Sequence, residues 1–143
     1  MNKHKIVYVI PITYWGGGLQ MNRLTLFEQL VNRNDLEIII CVLQFSGATS
    51  KKFKELGLKE YFLNKPAKFY NLHTSLALYK TLLKIKPDIV HTANVDADIH
   101  GFLATRLLSK TKLVVEEISS SIDRSPIIRK IHKYIYEKAD KEL

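Results

Sequence analysis

Ile6-Val7-Tyr8-Val9-Ile10, then Pro11, then Tyr14-Trp15-Gly16-Gly17-Gly18-Leu19-Gln20 is the stretch that decides how this chain folds. A continuous apolar run rich in β-branched residues is the pattern of a strand covered on both faces. Pro11 ends the run, and a helical pattern starts near Met21. The glycines between strand and helix carry no Cβ, so a ligand can approach their backbone. A helix start adds unpaired N–H groups and positive dipole potential, which suit a phosphate. A glycine-rich surface turn that binds nothing is the competing reading. The strand before and the helix after favour the anion site.

The pattern repeats outward from there. Met21, Leu24, Phe27, Leu30 and Val31 trace one helix face, closed by Asn32-Arg33-Asn34-Asp35. Leu36 to Leu43 is a second buried strand, Lys51 to Leu56 a short helix stopped by Gly57, and Lys59 to Leu63 a weaker third strand. Asn71 is placed to cap a long helix. Its predicted buried face is Leu72, Leu76, Tyr79 and Leu83, with Leu78, Leu82 and Ile85 beside it. Asp88-Ile89-Val90-His91 opens a fourth strand after Pro87. Asn94 to Asp98 reads as a polar loop, with Asp96 or Asp98 available to cap the next helix along Ile99, Phe102, Leu103 and Leu107. Lys112 to Ile118 is a fifth strand, and Ser119-Ser120-Ser121 a loop. Pro126 opens a last amphipathic helix along Ile127, Ile131, Ile135 and Ala139.

This alternation predicts a single α/β domain over residues 1–143, a Rossmann-like parallel sheet of about five to six strands with helices on both faces. Such sheets bind ligands outside the carboxyl ends of their strands. Those ends hold Thr13 to Gly18, Gln44 to Gly47, His91 to Asp98 and Ser119 to Asp123, which are also the glycine-rich and polar segments.

Composition narrows the function classes. Hydrophobic residues make up 46% of the 143, enough for a core. No apolar run is long enough to span a bilayer. The N-terminal run is short for a secretory signal and lacks a small-residue cleavage site, so a cytoplasmic location is expected. Cys41 stands alone in an apolar stretch and reads as a buried thiol. The net charge of +8 suits anionic partners: nucleic acid, an acidic lipid surface or a phosphorylated substrate. Residues 51–70 interleave six lysines and two glutamates with Phe53, Leu58, Tyr61, Phe62, Phe69 and Tyr70. Either these aromatics meet membrane headgroups or an anionic acceptor, or they face the core while the lysines face water. The second reading is preferred.

Several chemistries are excluded. A P-loop needs a lysine and a Ser or Thr after its last glycine, where this chain has Leu19-Gln20-Met21. A dinucleotide fingerprint needs a third glycine where Met21 stands, and an acid near the end of the second strand where Gln44 stands. The acidic residues of a response-regulator receiver are missing. No Cys/His cluster offers a zinc site, and no helix-turn-helix or RNA-binding signature accompanies the basic charge. Neither a metal nor nucleic acid is therefore expected as a partner.

Lys5 to Ile10, then Gly17-Gly18-Leu19-Gln20 and a long amphipathic helix, resembles the opening of family 4 glycosyltransferases. Lys86-Pro87-Asp88-Ile89-Val90-His91 is similar to their fourth strand, and Tyr134-Ile135-Tyr136-Glu137-Lys138-Ala139-Asp140 to the helix before their domain junction. The resemblance covers the whole chain in the right order. It implies the N-terminal, acceptor-side half of the GT-B architecture, with the nucleotide-binding C-terminal half absent. It implies a retaining transfer of sugar from a nucleotide-sugar donor to a polysaccharide or glycolipid acceptor, with no cofactor beyond that donor. Gly16, Gly17 and Gly18 would approach the donor diphosphate, and His91, Asn94, Asp96 and Ser119 the acceptor. Two family histidines are replaced, by Ala93 and at about Ser119, so no catalytic residue is assigned. Other partners expected are the missing domain or a partner subunit, and an anionic membrane surface at the inner membrane face. The chain alone is expected to be inactive. A non-catalytic glycosyltransferase-like subunit and a stand-alone anion- or nucleotide-binding module are the competing readings.

Overall fold

In chain order the elements are β1 (His4–Ile10), α1 (Gly18–Leu30), β2 (Leu36–Val42), α2 (Ala48–Glu55), β3 (Lys59–Phe62), α3 (Leu72–Ile85), β4 (Ile89–Ala93), α4 (Val95–Thr105), β5 (Lys112–Glu116), α5 (Pro126–Lys138) and β6 (Lys141–Glu142). They are taken from a computed structural model that describes residues 2–11, 18–45, 47–116 and 125–142. The strands form one sheet in the order β3-β2-β1-β4-β5-β6, and every neighbouring pair is parallel. Chain direction across the sheet reverses between β1 and β4, which makes that boundary the topological switch point.

Alternate residues of each strand feed two apolar layers, as the period of two requires. Tyr8, Ile10, Ile40 and Val42 pack with Leu24 and Phe27 of α1 and Phe53 of α2. Val7, Val9, Ile39, Cys41, Val90 and Val115 pack with Leu78, Leu82 and Ile85 of α3, Phe102 of α4 and Ile135 of α5. Helices therefore cover both faces, as the alternation predicts. Cys41 is fully buried, and that burial pushes its thiol up to about 12.

Boundaries and faces differ from expectation in places. Helix α1 starts at Gly18 rather than near Met21, and α2 at Ala48 rather than Lys51. Asn71 does cap α3, its Oδ1 accepting from Thr74 N at 3.3 Å. However, α3 buries Thr74, Ser75, Leu78, Leu82 and Ile85, whereas Leu72, Leu76 and Leu83 lie exposed. A helix with leucines all round offers two apolar stripes, and partners for its polar residues choose between them. Thr74 Oγ1 donates to Pro66 O at 2.6 Å, and Ser75 Oγ donates to His100 Nδ1 at 2.6 Å. His100 Nε2–H in turn serves the carbonyls of Ala67 and Lys68 at 2.9 and 3.0 Å, which fixes that tautomer.

In α4 the cap is Asn94, not Asp96 or Asp98, and Leu103 and Leu107 are exposed. Asp98 is fully buried, its two oxygens taking Thr92 Oγ1 at 2.5 Å and His132 Nε2 at 2.7 Å. That network ties β4, α4 and α5 together. In α5, Pro126 and Ile135 stand as expected, but Ile127 is exposed. The aromatics of residues 51–70 behave as core, with Phe53 buried and Tyr61, Phe62 and Phe69 half-buried; Tyr70 alone among them is exposed.

Candidate functional site

Tyr8 of β1 and His91 of β4 straddle the switch point. Their rings stack with centroids 4.7 Å apart and 28° between planes. Both side chains lie on the face that α1 covers, because the β1–β4 register sets Tyr8 opposite His91. Arg23 reaches in from α1. It is buried, its guanidinium lies 5.6 Å from the Tyr8 ring centroid, and it forms an ion pair with Glu116 of β5. His91 Nε2 meets the same Glu116 oxygen at 3.0 Å. Side chains from α1 and β4 thus meet on one carboxylate of β5 at the carboxyl edge of the sheet, with Tyr8 of β1 packed against both.

The electrostatics follow from burial. Desolvation, and secondarily the Arg23 charge, push the His91 imidazole down to about 4. At neutral pH the ring is therefore uncharged and donates its Nε2–H to Glu116. Burial raises the Tyr8 phenol, with Arg23 partly offsetting it, and lowers the Arg23 guanidinium, with Tyr8 partly offsetting that. Arg23 Nε is buried with no hydrogen-bond partner among the described residues. A buried cation held by a single carboxylate is a fixed charge beside the end of β1. It suits a site that handles anions.

The expected acceptor residues separate into two places. His91 lies within this buried group. Asn94 and Asp96 sit together at the start of α4 and both are engaged in structure. Asn94 Oδ1 accepts from Asp96 N at 3.0 Å, and Asp96 Oδ1 accepts from Phe69 N at 2.9 Å. Asn94 holds φ 96° and ψ 143°, a backbone conformation that side-chain-bearing residues rarely adopt. Asp96 also lines an open cleft of about 300 Å³ with Lys68, Phe69, Tyr70, Val95 and Ile128. An exposed tyrosine beside a carboxylate can stack on and hydrogen-bond a polar ring. Gly18 is the first residue of α1. Gly16, Gly17 and Ser119 lie outside the described residues. Among the described residues no group of three or more His, Cys, Asp or Glu is arranged to hold a metal ion.

Arg23 and Glu116 were not foreseen as site residues. The signal was present but faint: Arg23 interrupts the apolar face next to Leu24, and Glu116 ends an apolar strand. Their pairing spans the sheet, and no local pattern carries it.

The architecture recurs in solved structures. The apo form of the lipopolysaccharide outer core galactosyltransferase WaaB aligns over 96% of this chain and 38% of its own, with TM-score 0.67 and 15% identity. MurG from Acinetobacter baumannii aligns over 98% of this chain and 40% of its own, with TM-score 0.66 and 14% identity. A glycosyltransferase from Rickettsia africae ESF-5 aligns over 100% and 42%, with TM-score 0.61 and 18% identity. This chain spans about two fifths of the length of each. No protein-family model and no curated protein matches it. The chain therefore has the fold of one Rossmann-like half of a GT-B glycosyltransferase.

Proposed function

We propose that this chain is the N-terminal, acceptor-side domain of a retaining glycosyltransferase, moving sugar from a nucleotide-sugar to a polysaccharide or glycolipid acceptor. The observation that carries the reading is the convergence of Tyr8, Arg23, His91 and Glu116 at the switch point, on the face of the sheet that α1 covers. In open parallel sheets this crevice is where ligands bind. Gly16, Gly17 and Gly18 would let the donor diphosphate approach the backbone, and N–H groups at the start of α1 would stabilise the charge that develops as it departs. The cleft beside Asp96 and Tyr70 would hold the acceptor hydroxyl in line, which is positioning work. His91, Arg23 and Glu116 act through position, fixing α1, β4 and β5 beneath the loops. A second domain, on this chain or another, would supply the nucleotide contacts.

A second reading has its own support. His91 is neutral and tied to Glu116, and Ala93 stands where many such enzymes carry a further histidine. Both features fit a non-catalytic partner subunit of the same fold. The test is sugar-nucleotide hydrolysis and transfer by the complete reading frame, with and without Gly17→Val. Activity abolished by Gly17→Val supports the enzyme. No activity in the complete chain, even with candidate partner halves added, supports the subunit.

A further inference from the structure

The outer surface of the α3–α4–α5 layer is apolar and cationic, unlike the opposite layer. On α3, Leu72, Leu76 and Leu83 are 69%, 49% and 45% exposed, in one stripe that runs about 16 Å along the helix axis. Leu103 and Leu107 continue it at the end of α4, which packs between α3 and α5. Ile127 and Tyr134 extend it on α5. Around the α3 and α4 leucines the charges are of one sign, and on α5 Arg129, Lys130, Lys133 and Lys138 outnumber the exposed Glu137. Residues 72–87 and 103–112 contain no Asp or Glu, and Lys80, Lys84, Arg106 and Lys110 stand exposed around the leucines. By contrast, the described side chains of α1 and α2 expose no large hydrophobic residue and carry both signs, Glu28 and Glu55 with Lys51 and Lys54.

We propose that the outer face of α3, α4 and α5 is a docking surface for an anionic lipid bilayer. Leucines in a stripe enter the boundary between headgroups and acyl chains, and lysines keep their ammonium groups at the lipid phosphates. Charge selects this occupant over a second copy. A symmetric contact through the stripe would set Lys80 and Lys84 against their own equivalents, like charge on like charge. The surface is defined by exposure and charge alone and does not depend on the glycosyltransferase reading. It moves the membrane contact away from residues 51–70, whose aromatics are mostly covered. Exposed Tyr70 joins the top of the stripe to the cleft beside Asp96, so a docked chain would hold that cleft at headgroup level.

The test is co-sedimentation of the full reading-frame product with vesicles of phosphatidylcholine alone or mixed with phosphatidylglycerol. Binding should need phosphatidylglycerol and weaken with salt. Each lysine near such a surface is worth about fivefold in affinity, so Lys80→Glu with Lys84→Glu should weaken binding at least about 25-fold. Leu76→Ser with Leu83→Ser should also weaken it while the chain stays folded, because neither side chain belongs to the buried core. Lys51→Glu with Lys54→Glu changes the net charge equally on the opposite layer and should leave binding intact. Equal loss from that control would show net charge at work and overturn the proposal. So would binding to phosphatidylcholine alone, absence of vesicle binding, or a Lys80/Lys84-dependent interaction with polyglutamate but not with vesicles. The last outcome would assign the face to an acidic protein.

Discussion

Glu116 Oε2 accepts a hydrogen bond from His91 Nε2 at 3.0 Å across the β4–β5 ladder. His91 sits opposite Val114, so Glu116 is its diagonal neighbour on the same face of the sheet. Arg23 takes the charge of that carboxylate from the α1 side. The histidine is left as a neutral donor in a buried place, and its neutrality has measurable consequences.

Burial holds His91 at about 4 in the folded chain against the ordinary 6.5 of an exposed histidine. The unfolded chain binds this proton more readily, so stability from His91 is fully present above pH 6.5 and is lost as pH falls toward 4. The gap amounts to about 3 kcal/mol. In His91→Gln the slope of unfolding free energy between these values should flatten. NMR of the wild-type imidazole should show no protonation through neutral pH; a midpoint near 6.5 would refute the buried neutral histidine.

Arg23 and Glu116 make an unequal pair. The guanidinium is buried, whereas the carboxylate side chain keeps 27% of its surface. Glu116→Gln strands a buried cation and should cost about 3 kcal/mol. Arg23→Met leaves a carboxylate that water still reaches, so its loss should be smaller. The double variant should recover part of the Glu116→Gln deficit. Urea unfolding of the four proteins measures this, and additive losses would mean that the two groups do not act together.

Strands β1, β2, β4 and β5 were legible because each is an apolar, β-branched run bounded by Pro, Gly or polar residues, and alternation with helices dictates a parallel sheet; β3 gave a weaker signal, and the Lys-Glu pair of β6 gave none. The faces of α3 were not. Leu72, Leu76 and Leu83 match helical spacing as well as Leu78, Leu82 and Ile85 do. The choice fell to Thr74 and Ser75, whose partners Pro66 and His100 come from other segments. Asp98 likewise looks like a cap in sequence, and only tertiary structure brings Thr92 and His132 to it. Of the residues expected at the carboxyl edge, His91, Asn94 and Asp96 stand along the end of β4 and the start of α4. Arg23 was missed because its partner is on a distant strand.

Asn94 combines a cap with a strained backbone. Asn94→Ala loses the Oδ1 bond to Asp96 N and keeps a Cβ at φ 96°, so it should lower stability by about 1 kcal/mol. Asn94→Gly loses the same bond but relieves a conformation that costs about 1–3 kcal/mol, so it should match or exceed wild type. If thermal melts rank Gly below Ala, the strain is not there. If Asn94 also contacts acceptor, the glycine variant of the complete enzyme should show a raised acceptor KM at undiminished stability.

Gly101 of α4 faces β4 with no room to spare. A Cβ built there would lie 2.4 Å from Thr92 Cγ2. The methyl cannot simply swing aside, because Thr92 Oγ1 is fixed on the buried Asp98 at 2.5 Å. Rotating it would leave that carboxylate short of a donor. Gly101→Ala gains about 1 kcal/mol of helix propensity but meets an overpacking cost of about 1–3 kcal/mol, so a net loss is expected. Thr92→Ser removes the obstructing methyl and keeps the hydroxyl on Asp98. Alone it should lose about 1 kcal/mol through the small void it leaves. Combined with Gly101→Ala, the new methyl fills that void, and the double variant should be more stable than either single one. Urea midpoints for the four proteins decide it. A Gly101→Ala chain as stable as wild type would mean that α4 can lift from β4, and that the Thr92–Asp98–His132 network does not hold the helix against the sheet.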